Sequence, residues 1–303
     1  MVTEVVSSVR CFRGRQNVYK HHSDVLNCDM HFGAYIPDHK EGERLPGLFY
    51  LSGKESKSIH PQDLLFVFIG FLKGLTCTHA NFMEKSGFQR FASEYGIVVV
   101  HPDTSPRGVD LPNDSDSWDF GKGAGFYLDA TVEPWSKHYK MYSYVTKELP
   151  EVIKNLLPID LGKLGIFGHS MGGHGAISIG LKNPDLFKSI SAFAPICNPM
   201  NCPWGKKAFT GYLGNFRPDT ETWEQYDSSL LLKTYKGPSR KVLIDQGAND
   251  SFLPAGQLLP ESLKSTDTVS VELRMQPEYD HSYYFIATFI GDHFKHHATI
   301  LKI

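Results

Sequence analysis

No sign of charge dominates this chain: 31 Lys and Arg stand against 33 Asp and Glu along 303 residues, for a net charge of −2. Without a basic excess there is no polyanion-binding surface, which excludes nucleic acid as a partner class and leaves a small molecule as the expected ligand. Cysteine is scarce as well. Cys11, Cys28, Cys77, Cys197 and Cys202 make an odd count with no CxxC spacing, so the pattern supports neither a disulfide framework nor a zinc site, and the thiols are read as reduced. The opening MVTEVVSSVRCFRGRQ lacks the continuous apolar core and small-residue cleavage site of a secretory signal. No apolar run is long enough to span a bilayer. These gaps together predict a cytoplasmic location and no membrane partner. Internal repeats and low-complexity tracts are missing too, and the length suits one large α/β domain spanning residues 1–303.

What is there is an alternation. Short β-rich runs occur at Met30–Ile36, Gly47–Leu51, Ile97–His101, Leu164–Phe167, Ser189–Ala194, Val242–Asp245 and Val269–Met275. Between them lie stretches with apolar residues at three- and four-residue spacing, which predict helices over Asn81–Tyr95, Tyr142–Leu156, Gly172–Lys182, Gly256–Lys264 and Ser282–Leu301. Strands alternating with helices imply an α/β fold with a mostly parallel central sheet covered by helices on both faces. One long connection, Asp103 to Pro134, carries SPRG, WDFGKGAGF and EPW, and structured loops of that length usually border sites. Its GKGAG mimics part of a dinucleotide fingerprint, but follows no strand and lacks GxGxxG spacing, so it reads as loop glycine.

The chemistry concentrates at GIFGHSMGGHG, residues 165–175. A serine hydroxyl is a weak nucleophile and must be presented on a sharp turn between strand and helix, with small neighbours that permit the turn. Gly168 and Gly172 flank Ser170 accordingly, and the following helix start would stabilise a developing oxyanion. A serine nucleophile needs a base and a carboxylate to orient that base, here in the order Ser, acid, His. After the strand KVLIDQ, the loop GANDSFLP places Asp250 beyond a strand's carboxyl end, where open α/β sheets collect functional groups. Asp245 lies within the strand run and reads as a structural carboxylate bonding loop amides. The last strand leads through QPEYD to His281 just before the final helix, making His281 the candidate base. His169 and His174 flank the elbow as packing or loop-bonding groups. His293, His296 and His297 could in principle hold a metal, but no HExxH or acidic partner supports it, and they read as a solvated helix face. The oxyanion requires two donors, one being the Met171 amide and the other an amide from the loop after Leu51.

The segments GHSMGGHGA, PDTSPRG, SWDFGKGAGFY, APICNP, CPWGKKAF, YLG, LIDQG with Asp250 following, and YDHSYYFIATFI together resemble the S-formylglutathione hydrolase (esterase D) family, from about Cys11 to His297. The resemblance implies an α/β-hydrolase fold and a cytosolic, cofactor-free, usually homodimeric serine thioesterase that releases formate and glutathione from S-formylglutathione. It assigns Ser170 as nucleophile, Asp250 as orienting acid and His281 as base, the same three residues reached from the motifs. It also gives Leu75 as the second oxyanion donor and puts Cys77 beside that loop. Cys77, Arg107, Trp204 and Lys206, with Lys207, are the candidate substrate contacts, the cationic ones facing glutathione's carboxylates. A general small-acyl carboxylesterase and a catalytically impaired binding protein are the alternatives.

The chain departs from the family at one place. Leu51-Ser52-Gly53 and Leu75-Thr76-Cys77-Thr78, contiguous in the family, are separated here by the 21 residues Lys54 to Gly74. Closure entropy grows only logarithmically with loop length, so the insert costs the fold on the order of 1 kcal/mol. A lost oxyanion donor, by contrast, typically lowers turnover about 100- to 1000-fold. The insert's LLFVFIGF is apolar on every face, where a built lid would show amphipathic spacing. It therefore reads as a segment outside the ordinary mature chain.

Overall fold

The computed structural model describes residues 2–53, 77–217 and 222–302. The insert at 54–74 and Leu75 lie outside the described residues. Nine strands form one sheet: β1 (Thr3–Arg10), β2 (Gly14–Ser23), β3 (Cys28–Pro37), β4 (Leu45–Leu51), β5 (Val98–Pro102), β6 (Ile159–His169), β7 (Phe187–Phe193), β8 (Arg240–Gly247) and β9 (Val269–Gln276). Their spatial order is β1-β2-β3-β5-β4-β6-β7-β8-β9. The first three are joined antiparallel to one another and to β5, and every pairing from β5 through β9 is parallel. All seven strands expected from the sequence are present; β1 and β2 were not foreseen.

The helices are α1 (His79–Lys85), α2 (Gln89–Tyr95), α3 (Met141–Ser143), α4 (Leu149–Lys154), α5 (Met171–Lys182), α6 (Pro203–Leu213), α7 (Ser228–Thr234) and α8 (Tyr283–Leu301). Side chains alternate across a strand, and β6 shows both faces occupied. Ile166 lies where a side chain on Gly180 of α5 would press, whereas Gly165 backs onto His297 of α8. Buried on both sides, β4 and β5 are near-continuous apolar runs rather than alternating ones.

Two helix expectations need correction. The run 81–95 is two helices, because the Ser86 hydroxyl bonds the Phe82 carbonyl at 2.7 Å and Gly87 takes φ +67°, a left-handed conformation that ends α1. Residues 256–264 form no α-helix. Gly256 and Leu259 both have positive φ, and Pro260 starts only a 3₁₀ turn to Ser262. A proline inside a helical pattern removes a donor and collides with the preceding turn, which overrides the leucine spacing. The region 142–156 contains a π turn, Tyr144–Glu148, between α3 and α4.

Candidate active site

The order of strands reverses around β4, and at that switch point the crevice beyond the strands' carboxyl ends is open for a site. Ser170 occupies it, between the end of β6 and the start of α5, with φ 58° and ψ −119°. A non-glycine residue in that conformation is strained and persists only where its surroundings hold it. Here the Ser170 N–H donates to the Phe193 carbonyl at 2.9 Å, and its own carbonyl accepts from His174 at 3.0 Å and Ile196 at 3.2 Å. The small residues around it are required: a Cβ on Gly172 would stand 1.9 Å from the Leu51 carbonyl oxygen, and one on Gly168 would stand 2.2 Å from that of Gly172. Met171 is the first residue of α5, so its N–H is among the helix donors left without an intrahelical partner.

Asp250 follows β8 and is buried. One carboxylate oxygen accepts the Phe252 N–H at 2.9 Å; the other accepts Gln246 Nε2 at 3.0 Å and His281 Nδ1 at 2.6 Å. Burial opposes ionisation, but the His281 bond and these further donors outweigh it and hold the carboxyl below its usual pKa. The ionised acid fixes the proton on His281 Nδ1. His281 Nε2 is left buried with no hydrogen-bond partner among the described residues, the state a general base requires. The His281 ring lies 4.3 Å from that of His169, the residue preceding Ser170, and 4.8 Å edge-to-face from Phe252. No hydrogen bond joins Ser170 to His281 in this structure. His169 is buried, and desolvation together with the neighbouring His281 pushes its pKa well down, so it packs as a neutral ring.

Trp118, Asp119, Ala124, Phe126, Ile196 and Trp204 line a small cleft with Ser170 and Met171. Trp118, Asp119, Ala124 and Phe126 all come from the long 103–134 connection, so that loop does border the cleft. Its GKGAG forms a tight turn with positive φ at Gly121 and Gly123. An aromatic relay runs outward from His281, with Phe252 4.6 Å from Trp204 and Trp204 5.4 Å from Trp118. The sequence reading missed Trp118, Asp119, Phe126 and Phe252; the loop's aromatic content was the available signal for three of them.

The other candidate contacts fall in different places. Arg107 bonds Asp103 through Nε at 3.0 Å and a terminal nitrogen at 2.7 Å, and the same nitrogen donates to the Cys77 carbonyl at 3.0 Å. The Thr104 hydroxyl reaches that carbonyl at 2.7 Å. Arg107 thus clamps the chain at Cys77, itself a buried cysteine outside any disulfide. Lys206 is exposed and lines grooves outside the Ser170 cleft, whereas Lys207 pairs with Asp119.

The histidines of α8 require a correction. His293 and His297 are fully buried, not solvated. His297 bridges Ser189 at 2.7 Å and Ser191 at 2.8 Å, and His293 bridges Ser191 at 2.8 Å and Asp245 at 3.0 Å. Asp245 is structural, but it bonds the side chains of Arg274, Gln276 and His293 rather than loop amides. These bonds outweigh its burial and pull its pKa down to about 2.

A mostly parallel sheet with a left-handed serine between strand and helix defines an α/β-hydrolase. A family model described as "Putative esterase" matches residues 23–296. S-formylglutathione hydrolase of Rattus norvegicus is 51% identical over 305 residues, covering 100% of both chains, and that of Arabidopsis thaliana is 48% identical, covering 98% of both. The solved structure of an S-formylglutathione hydrolase from Agrobacterium tumefaciens superposes with a TM-score of 0.85 at 48% identity, over 98% of this chain and 99% of that one. The chain belongs to the S-formylglutathione hydrolase family of esterases.

Proposed function

We propose that the protein is a serine thioesterase that hydrolyses S-formylglutathione to formate and glutathione. The observation that carries this reading is the strained, positive-φ Ser170 at the head of α5, with the hydrogen-bonded Asp250–His281 pair on the loops that follow β8 and β9. His281 Nε2 takes the Ser170 proton as the oxygen attacks the formyl carbon, while Asp250 orients the ring and stabilises the imidazolium. The Met171 and Leu75 amides hold the oxyanion. The tetrahedral intermediate collapses with loss of the glutathione thiolate, which takes the imidazolium proton as it departs; water, deprotonated by the regenerated imidazole, then attacks the acyl-enzyme, and release of formate returns the proton to the Ser170 oxygen. A thiol of pKa ~8.5 leaves with little help from protonation, so thioesters outrun amides on this apparatus. Trp204 and Cys77 border the acyl and thiol path, and no cofactor enters the scheme. The continuous sheet supports one domain over residues 1–303, and the family resemblance supports a cytoplasmic homodimer. Among the described residues, no helix is long and apolar enough to cross a membrane. Comparing kcat/KM for S-formylglutathione and an aryl acetate tests the assignment: preference for the thioester is expected, and faster turnover of the aryl ester would make this a general carboxylesterase.

A further inference from the structure

At the rim of the Ser170 cleft sits a mixed-charge group that the triad does not use. Asp119 lines the cleft wall beside Trp118 and Trp204. Its carboxylate accepts from Lys207 Nζ and from the Ser117 hydroxyl, and Lys207 Nζ also donates to Ser117 at 2.6 Å. Lys207 lines the adjoining outer groove with Phe120, Thr210 and Gly211. The pair therefore stands between the Ser170 cleft, lined by Asp119, and the outer groove, lined by Lys207. The Asp119 side chain is 17% exposed and that of Lys207 45%. A partly exposed ion pair adds little to folding, and this one holds a full negative and a full positive charge at the edge of the Ser170 cleft. Burial opposes ionisation of Asp119, but Lys207 and Ser117 outweigh it and keep the carboxylate charged.

We infer that Asp119 and Lys207 bind the α-amino-acid end of the thiol leaving group, an ammonium and a carboxylate carried on one carbon. Such a zwitterion inserts between the two side chains, its ammonium taking Asp119 and its carboxylate taking Lys207. One exposed ion pair is exchanged for two charge-assisted ones, and no net charge is buried. A group bearing only a carboxylate would have to break the existing pair and leave Asp119 facing a like charge, so the site selects against simple anionic thiols. The inference rests on the thioesterase reading and deepens it: in glutathione the γ-glutamyl residue is the part with this chemistry, and its glycine carboxylate stays in solvent.

The test uses the full chain with S-acetylglutathione, its derivative acetylated on the γ-glutamyl amine, and S-acetyl-N-acetylcysteamine, which has the thioester but no amino-acid end. Lys207→Gln and Asp119→Asn are each expected to raise KM for S-acetylglutathione about tenfold, the effect of one charge-assisted hydrogen bond, with kcat little changed. Their loss in kcat/KM for the cysteamine thioester should be at least about fivefold smaller than their loss for S-acetylglutathione, since a group that binds the remote end acts mainly on the substrate that has one. The amine-acetylated substrate should lose nothing further in Asp119→Asn. Equal losses on all three substrates would mean that the pair merely holds the 117–119 turn and would overturn the inference, as would an undiminished preference for S-acetylglutathione in both variants. If the unmodified chain handles the cysteamine thioester as well as S-acetylglutathione, the glutathione reading itself fails.

Discussion

Three side chains carry the proposed chemistry, and each is held by a different physical device: backbone strain at Ser170, a convergent set of donors at Asp250, and a single short bond at His281. The Asp250 arrangement makes a sharp prediction. Asp250→Asn keeps the volume but replaces an acceptor with a group that can donate to Nδ1, favouring the wrong tautomer and leaving any imidazolium uncompensated. The kcat for S-formylglutathione is expected to fall about 10⁴-fold, the known scale of this change in a serine triad, with the fold intact by circular dichroism. A loss under tenfold would deny Asp250 its role. These residues were legible because their roles force a chain order and a position just past a strand end. Asp119 and Arg107 were less so. Nothing in the pattern distinguishes a cation awaiting substrate from one already spent on a carboxylate, and Arg107 is spent on Asp103.

The site's shape is set by how closely β4, β6 and α5 approach, and glycine makes that possible. A Cβ on Gly53 would lie 2.6 Å from that of Ser170 and 2.5 Å from the His169 carbonyl oxygen. Gly53→Ala should therefore displace the elbow or the start of the oxyanion loop and lower kcat by about 100-fold, as misplacements near 1 Å do. Single-turnover acylation reads this directly, and an unchanged rate would show that the junction tolerates the shift. Central strands such as β4 and β5 were legible because burial on both faces makes them near-continuous apolar runs. The hairpin β1–β2 was not. Gln16, Asn17 and His21 are buried polar residues in β2, and β1 exposes Val5, Val6 and Val9, so neither strand shows the expected apolar alternation. Helix α7 hides for another reason: its capping residue, Asp227, whose carboxylate accepts the Ser229 and Leu230 amides, precedes only seven helical residues, too few for a periodic signal.

For the molecule as a whole, the resemblance to a known family made the topology legible, but not what lies beneath α8. Histidine is a polar residue by composition, and only the folded chain shows His101, His169, His174, His293 and His297 taken out of water, with His296 half-buried. Desolvation, foremost in each, lowers their pKa values, to about 3 for His101 and about 4 for His174 and His296. The unfolded chain binds protons on these rings below the ordinary value near ~6.5, and the native state does not. Stability is thus fully present above about pH 6.5 and is lost as pH falls toward 4, each such ring contributing up to about 1.4 kcal/mol per pH unit. Asp245 has a depressed pKa of about 2, so its own contribution is lost only between about pH 4 and pH 2. Urea midpoints should fall steeply from pH 7 to pH 5, and a flat profile would mean that these rings are hydrated. The central claim, a single activated serine in the intact protein, is tested most directly by mass spectrometry after fluorophosphonate treatment. One adduct on Ser170, abolished together with S-formylglutathione hydrolysis in Ser170→Ala, is the predicted result; hydrolysis that survives in Ser170→Ala, or an adduct on another serine that accounts for the activity, would contradict it.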